Sequence, residues 1–342
     1  MCVVARVAPV SKLDDGIDFV EFPRDFTRVG VLTRPDRVAR FLRGLEADVY
    51  HFHDPDLLPV AGLMSSRDSI IIYDCHEWYQ QVFPHKGYRP LLAKGAAIGL
   101  SLVERIVIPR LDAVIVPTEE LARVYKTLAK TVVSIRNFAP VDGWTTCTES
   151  GEKTWDLIHT GTVSRPRLEV MLDIARSIRD TGRSIKFCLL GVSDEVRSWV
   201  NSDAKARSLV DCVGRVSETE VPGFLERSRI GINYHPYQQR FMVAIPMKVF
   251  EYMRHGLPFV STALPPLKRL LGDSGTGLLV EENTVPSFVA AITSLLDDQV
   301  GTAQMGQRGR ELITREYNWE RESVKLVGLY RQLLGKRGLA VA

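Results

Sequence analysis

Two tracts in the first half of the chain place polar side chains directly after apolar runs. In DVYHFHDPDLLP, residues 48–59, a strand-like run ends on His51, His53, Asp54 and Asp56. Two imidazoles and two carboxylates there admit three readings. They can ligate a divalent metal, the Asp-Pro step can start a helix, or His53 and Asp54 can reach into a substrate cleft. No further cluster with metal-ligand spacing accompanies them, so no metal is assigned. In IIIYDCHEWY, residues 70–79, His76 and Glu77 follow the next apolar run. A histidine in that position can donate a hydrogen bond to a ligand hydroxyl or polarise an acceptor. An exposed His–Glu pair on a loop is the plainer alternative. Trp78, Tyr79 and Phe83 are either a stacking platform or core.

The second half carries turns suited to an anion. HTGTVSRPRLEVML, residues 159–172, reads as strand, glycine turn and helix, with Gly161 and Thr162 in the turn and Arg165 and Arg167 beyond it. Backbone N–H groups at such a helix start face an anion, and arginine can neutralise a diphosphate; solvated arginines are the alternative. LLGVSDE (189–195, with Gly191) and CVGRVSETEVPGFL (212–225, with Val213, Gly214, Arg215 and Val216) repeat the strand-to-glycine-turn pattern. In AIPMKVFEYMRHGLPFVST, residues 244–262, Lys248 opens a helix and Glu251 follows one turn later on the same face. Lys248 and the helix start can hold phosphate. The Glu251 carboxylate can accept both hydroxyls of a ribose. An exposed ion pair is the bland reading, and the buried strand that follows argues against it.

Parallel strands are the elements able to deliver these groups to one edge. Strands are predicted at Val3–Val7, Ile17–Phe22, Asp48–His51, Ser69–Tyr73, Ala113–Val116 and Thr131–Ile135. A second series follows at Asp156–Thr160, Ile185–Leu190, Val210–Val213, Ile230–Tyr234, Pro258–Thr262 and Thr276–Val280. Most are apolar on both faces, as buried parallel strands are. Helical patterns lie between them at Pro35–Gly44, Pro90–Leu111, Glu119–Thr127, Leu168–Asp180, Glu218–Arg227, Met247–His255, Thr284–Leu296 and Ala303–Tyr317. The alternation argues an α/β fold of two Rossmann-like units. The expected domains are 1–145, 146–318, and a C-terminal helix within 319–342 that packs back towards the first domain. The join falls in the polar stretch 137–153.

Composition bounds the function. The 342 residues are 45% hydrophobic and carry 44 basic against 41 acidic side chains, net +3. That balance argues against nucleic acid as a partner, and no G-x-G-x-x-G follows an early strand, which argues against a dehydrogenase. No apolar run reaches the roughly eighteen residues of a membrane span. The five cysteines are scattered and form no C-x-x-C, so they read as reduced thiols of a cytoplasmic protein. The apolar segment 89–110 with basic edges reads as a core helix; peripheral contact with the inner face of a membrane is the other option.

Taken together, DVYHFHDPDLLP, IIYDCHEWY, DAVIVPTEEL, SIRNFAP, LIHTGTVS, FCLLG, VGRVSETEVPGFL, PMKVFEYMRHGLPFVST and GTGLLV resemble the GT-B glycosyltransferases of the family 4-like retaining group, in family order over about 48–140 and 156–280. The resemblance implies two Rossmann-like domains facing a cleft. The second would bind a nucleotide-diphosphate sugar and the first a saccharide, lipid-linked or small-molecule acceptor. It implies a co-substrate rather than a cofactor, and transfer with retention and without metal. Glu251 matches the family's ribose-binding Glu, His76 the histidine at the reacting sugar, Gly161 the phosphate turn and Arg167 the basic residue after it. The backbone of Val213–Val216 matches the base-binding segment. The electrostatic reading places Arg167, Lys248 and His76 at the reaction, with His53, Asp54 and Glu77 on the acceptor side.

Two features depart from the family pattern. The position eight residues before Glu251, where the family carries a second Glu, is Val243. The chain also opens on a strand resembling the family's second one, without the Gly-rich loop, which leads us to expect a truncated start. These departures leave room for an impaired GT-B protein acting as a binding or partner subunit, or for a nucleotide-sugar epimerase of the same fold.

Overall fold

The computed structural model describes residues 2–5, 18–23, 26–65, 69–85, 89–141 and 152–338. The strands are β1 (Cys2–Ala5), β2 (Asp18–Glu21), β3 (Val49–His53), β4 (Ile70–Asp74), β5 (Ala113–Val116), β6 (Val132–Ser134), β7 (Trp155–Thr160), β8 (Phe187–Leu190), β9 (Val210–Val213), β10 (Ser228–Asn233), β11 (Phe259–Thr262) and β12 (Gly277–Val280). Every pairing among them is parallel. All are short and rich in Val, Ile, Leu and Phe. The strands β4, β5, β7, β8, β10 and β11 are buried along nearly their whole length, the arrangement that parallel sheets require when helices cover both faces.

Contacts divide the chain into two compact units. The first comprises 1–116, 122–134 and 329–342, the second 117–121 and 135–328. Of the long helix Trp319–Lys336, residues up to Gly328 therefore group with the second unit and those from Leu329 with the first.

In the first unit a four-stranded sheet runs β3-β4-β5-β6. Its core is the apolar face of β4 and β5 with Leu58, Val60, Ala61, Met64 and Tyr125. The register sets His53 opposite Asp74. Among the described residues β1 and β2 pair only with each other; residues 6–17, which hold the end of the predicted strand Val3–Val7 and the start of Ile17–Phe22, lie outside the described residues. Short helices at Arg28–Thr33 and Leu58–Met64 were not anticipated. The second was hidden by Pro55 and Pro59, which occupy first-turn positions rather than breaking it.

The helix Pro90–Val107 corrects the core-helix reading of 89–110. Only Ala93, Glu104 and Val107 are buried, whereas Leu91, Leu92, Ile98, Leu102 and Ile106 are exposed. Apolar content alone does not show which face a helix buries, and here five large apolar side chains stay exposed while Ala93, Glu104 and Val107 face inward.

In the second unit a six-stranded sheet has the order β12-β11-β10-β7-β8-β9. The chain builds outward from β7 through β8 to β9, then returns beside β7 with β10 and builds the other way. The reversal lies between β7 and β10, and in such sheets ligands bind outside the carboxyl ends at this point. One core cluster, with Leu172, Ile174, Phe187, Ile232 and Phe288, lies on one side of this sheet's packing. Another gathers Ile158, Leu190, Phe250, Tyr252 and Phe259.

Candidate active site

At the reversal point, the residues leaving β7 and β10 are held by one helix, Met247–Arg254. Its Tyr252 is fully buried, and the Tyr252 hydroxyl accepts the Thr160 N–H at 3.1 Å. Tyr252 lies directly over Gly231 of β10; a Cβ there would come within 2.3 Å of the ring. Glycine at 231 therefore lets the helix approach, and that approach aims Lys248 and Glu251 at the end of β7.

Lys248 Nζ donates to the Thr160 carbonyl at 2.6 Å and to His159 Nε2 at 3.0 Å. An imidazole nitrogen that accepts from an amine is unprotonated, so the fully buried His159 carries its proton on Nδ1, which donates to the Ile232 carbonyl at 3.0 Å. The bland reading, an exposed Lys248–Glu251 ion pair, is not what forms. Two Lys248 donors are committed to the end of β7, and an ammonium retains a third.

Arg167 lies in the first turn of the helix Arg165–Asp180, which begins three residues earlier than predicted. Its Nε and Nη2 donate to the Tyr234 carbonyl at 3.0 and 2.8 Å, and Nη2 meets His235 Nε2 at 3.1 Å. His235 is buried, and its Nδ1 has no hydrogen-bond partner. Arg165 turns elsewhere, pairing with Glu169 at 2.9 Å and lying over the Trp199 ring. Of the two arginines considered for an anion, only Arg167 is at the reversal point.

The electrostatics of this cluster are one-sided. Burial, then Arg167, lowers Lys248 to about 7. Burial, then Arg240, lowers Arg167 to about 10. Burial, then Arg167, Lys248 and Arg240, lowers His235 to about 2. His159 is likewise pushed well below its usual range by burial and then Lys248. Glu251 is raised by burial, an effect opposed by Lys248, Arg254 and a hydrogen bond with Thr160. Crowded cations with two neutral imidazoles and few nearby carboxylates form a site whose electrostatic strain an anion relieves.

The neighbouring turns complete the edge. Gly161 and Gly191 both have positive φ, +79° and +77°. The Gly161 N–H donates to the Leu190 carbonyl at 2.8 Å, and the Gly191 N–H to the Val213 and Gly214 carbonyls at 3.1 Å. Gly161 and Thr162 are exposed at the end of β7. Val213, Gly214 and Val216 are half-buried, and Arg215 is exposed. Lys248, Glu251 and Arg254 line a cavity of about 260 Å³ with Asn137, Ala139, Met247, Phe250, His255, Ile313 and Tyr317.

The first unit carries a separate polar set. His76 Nε2 lies 3.0 Å from His53 Nδ1, and the two rings stack at 5.3 Å. Asp54 does not act as a helix cap. It sits at φ +69°, makes no capping bond to the turn that follows, and accepts the Tyr79 hydroxyl at 3.2 Å. A non-glycine residue at positive φ costs about 1–3 kcal/mol, and such strain clusters at functional sites. The Glu77 carbonyl accepts the Cys75 thiol at 3.2 Å, and the residue is exposed. Tyr79 is buried, so the aromatic group is partly core. His51 and Asp74 join this set; sequence reasoning considered the first only as a metal ligand and passed over the second. Its signal was present in the final residue of the apolar run IIIYD. His159, Tyr234 and His235 were also missed, because they lie within or beside buried strands.

Residues 155–298 match the family model described as "Glycosyl transferases group 1", and residues 5–129 that of the "Glycosyl transferase 4-like domain". Alpha-D-kanosaminyltransferase of Streptomyces kanamyceticus is 22% identical over 181 residues, 52% of this chain and 45% of that protein. Sucrose-phosphate synthase of Thermosynechococcus elongatus superimposes with a TM-score of 0.70 at 16% identity, covering 92% of this chain and 81% of its own. Anabaena HepE, solved with UDP and glucose, gives 0.67 at 12% identity, covering 92% and 86%. The chain spans less than half the length of the curated relatives it matches.

This chain belongs to the GT-B glycosyltransferases of the family 4-like group.

Proposed function

We propose that the protein transfers a hexosyl or N-acetylhexosaminyl group from a UDP- or GDP-sugar to a saccharide, lipid-linked or small-molecule acceptor, with retention and without metal participation in the transfer. The observation that carries this reading is the positive cluster at the β7–β10 reversal beside the cavity lined by Lys248 and Glu251. A diphosphate supplies the anion the cluster lacks. Its departing charge would be stabilised by Arg167, by the third donor that Lys248 has as an ammonium, and by the exposed turn at Gly161 and Thr162. Glu251 would take the ribose hydroxyls, and the half-buried backbone at Val213–Val216 would take the base. His76, paired with His53, would act at the reacting sugar, with His53, Asp54 and Glu77 on the acceptor side. HepE was solved with UDP and glucose, which supports a nucleotide-sugar donor.

A thermal-shift panel of UDP-, GDP- and ADP-sugars tests the donor site. One class should raise Tm in the wild type, and Glu251→Ala should weaken its binding at least about tenfold, the loss of a charge-assisted pair of hydrogen bonds. No shift with any of them refutes the reading. Product analysis with UDP-GlcNAc alone separates transfer from epimerisation, and binding without turnover marks a partner subunit.

We further propose peripheral contact with anionic lipid at the inner face of a membrane. No helix among the described residues is long and apolar enough to cross one. The helix Pro90–Val107 instead presents exposed Leu91, Leu92, Ile98, Leu102 and Ile106, a contiguous apolar face of the kind that marks an interaction surface. Within 89–110 every exposed charge is positive: Arg89, Lys94, Arg105 and Arg110. The only carboxylate in that stretch, Glu104, is buried. Sedimentation with phosphatidylglycerol vesicles should exceed that with phosphatidylcholine and fall in Leu91→Gln/Leu92→Gln. Equal recovery with both lipids refutes it.

A further inference from the structure

The carboxyl ends of β3 and β4 hold a cluster that the transfer reading does not use as a unit. Asp74 Oδ2 lies 3.5 Å from His51 Nε2 and 3.6 Å from His53 Nδ1. One ligand atom from each of the three residues lies within 4.8 Å of the others. The two separations exceed the roughly 2.7–3.2 Å of a hydrogen bond. They instead match the edge of a coordination shell: around a tetrahedral zinc with bonds of about 2.0–2.1 Å, neighbouring ligand atoms stand roughly 3.3–3.4 Å apart.

Two further observations concern His51. Its Nε2 is buried with no hydrogen-bond partner, whereas its Nδ1 meets the Tyr330 hydroxyl at 2.6 Å. When Nδ1–H donates to that hydroxyl, the Nε2 lone pair is presented to Asp74. A hydrogen bond on the far ring nitrogen is the feature that orients histidine ligands in metal sites. His53 stacks on His51 at 4.7 Å.

We propose that His51 Nε2, His53 Nδ1 and Asp74 Oδ2 form a binding site for a divalent transition metal of the zinc class. Two nitrogens and one carboxylate select zinc or cobalt over magnesium and calcium, which favour all-oxygen shells. His53 is exposed, so the fourth position opens to solvent, beside His76. The metal and His76 compete for His53 Nδ1, since His76 Nε2 lies 3.0 Å from it. Metal binding therefore breaks the His53–His76 hydrogen bond. The nucleotide cluster of the second unit contributes no ligand, so this site and the donor site succeed or fail separately.

The test uses the full chain, stripped with chelator and titrated with Co²⁺, then Zn²⁺, with Mg²⁺ as control. The expected result is one Co²⁺ per chain with the visible absorption of four-coordinate cobalt, displaced by Zn²⁺ and absent with Mg²⁺. His51→Ala and Asp74→Asn should each weaken binding at least about tenfold, and Tyr330→Phe by about tenfold through lost orientation. Circular dichroism confirms that each variant is folded. The wild-type titration decides the matter even where a variant does not fold. Absence of stoichiometric cobalt absorption in the wild type overturns the proposal, as does full absorption retained in a folded His51→Ala/Asp74→Asn double variant.

Discussion

If Lys248 contacts the donor diphosphate, donor binding must take up a proton. Burial and the Arg167 charge hold the ligand-free amine at about 7, so at pH 8 about nine chains in ten carry it neutral. A diphosphate within hydrogen-bond reach favours the ammonium and raises that value, and the proton comes from buffer. Linkage then fixes the sign: the free state binds fewer protons than the complex above about pH 7, so affinity falls as pH rises, approaching tenfold per unit, and is level below. A nucleotide-diphosphate sugar is the appropriate ligand, because both its phosphates are esterified and the ionisation near 6 of a terminal phosphate is absent. Calorimetry at pH 8 in buffers of differing ionisation enthalpy should report uptake of about 0.9 proton per ligand, and at pH 6 about 0.1. Lys248→Met should abolish the uptake and cost more affinity at pH 6 than at pH 8.5. Zero uptake by the wild type at pH 8, or uptake unchanged in Lys248→Met, would refute the contact.

His76→Ala should lower kcat by about ten- to a hundredfold, while the Kd for donor, read by thermal shift, moves by less than about threefold; equal losses in both would place His76 at donor binding instead. Glu104 supplies a stability test independent of function. Burial raises its carboxyl to about 7, and it accepts the Tyr125 hydroxyl at 2.8 Å and the Gln80 amide. The folded acid holds its proton above the unfolded value, so stability is full below about pH 4.5, declines towards pH 7 and is level above. The loss amounts to at most about 3 kcal/mol. Glu104→Gln keeps the Tyr125 bond without the charge, so its Tm should exceed that of the wild type by about 5 °C or more at pH 8 and lose that advantage at pH 5. A difference independent of pH would argue against a carboxyl titrating in this range.

Strand and helix assignments were legible because they depend on neighbours a few residues away. The Val/Ile runs at 113–116 and 210–213 fall where the sequence places them, and Lys248 and Glu251 share a helix as their spacing requires. Missed helices such as Asp194–Ser202 and Pro265–Leu271 are short, and the second opens on two prolines. Their local signal is weak and tertiary packing holds them.

The motifs established by sequence alone were the glycine turns, the Lys248–Glu251 helix and the two His-rich strand ends, together with the α/β class. Strand order determined what those motifs touch. The return of β10 beside β7 brings the Tyr234 carbonyl and His235 to Arg167, and the register of β3 on β4 brings Asp74 to His51 and His53. The same holds for the helix Pro90–Val107, whose apolar content is local but whose exposed face is set by what its other side packs against. Pairings between residues distant in the chain form through burial summed over a whole sheet, which no short stretch encodes. Protonation at Lys248 and Glu104 follows from that burial and likewise belongs to the folded molecule.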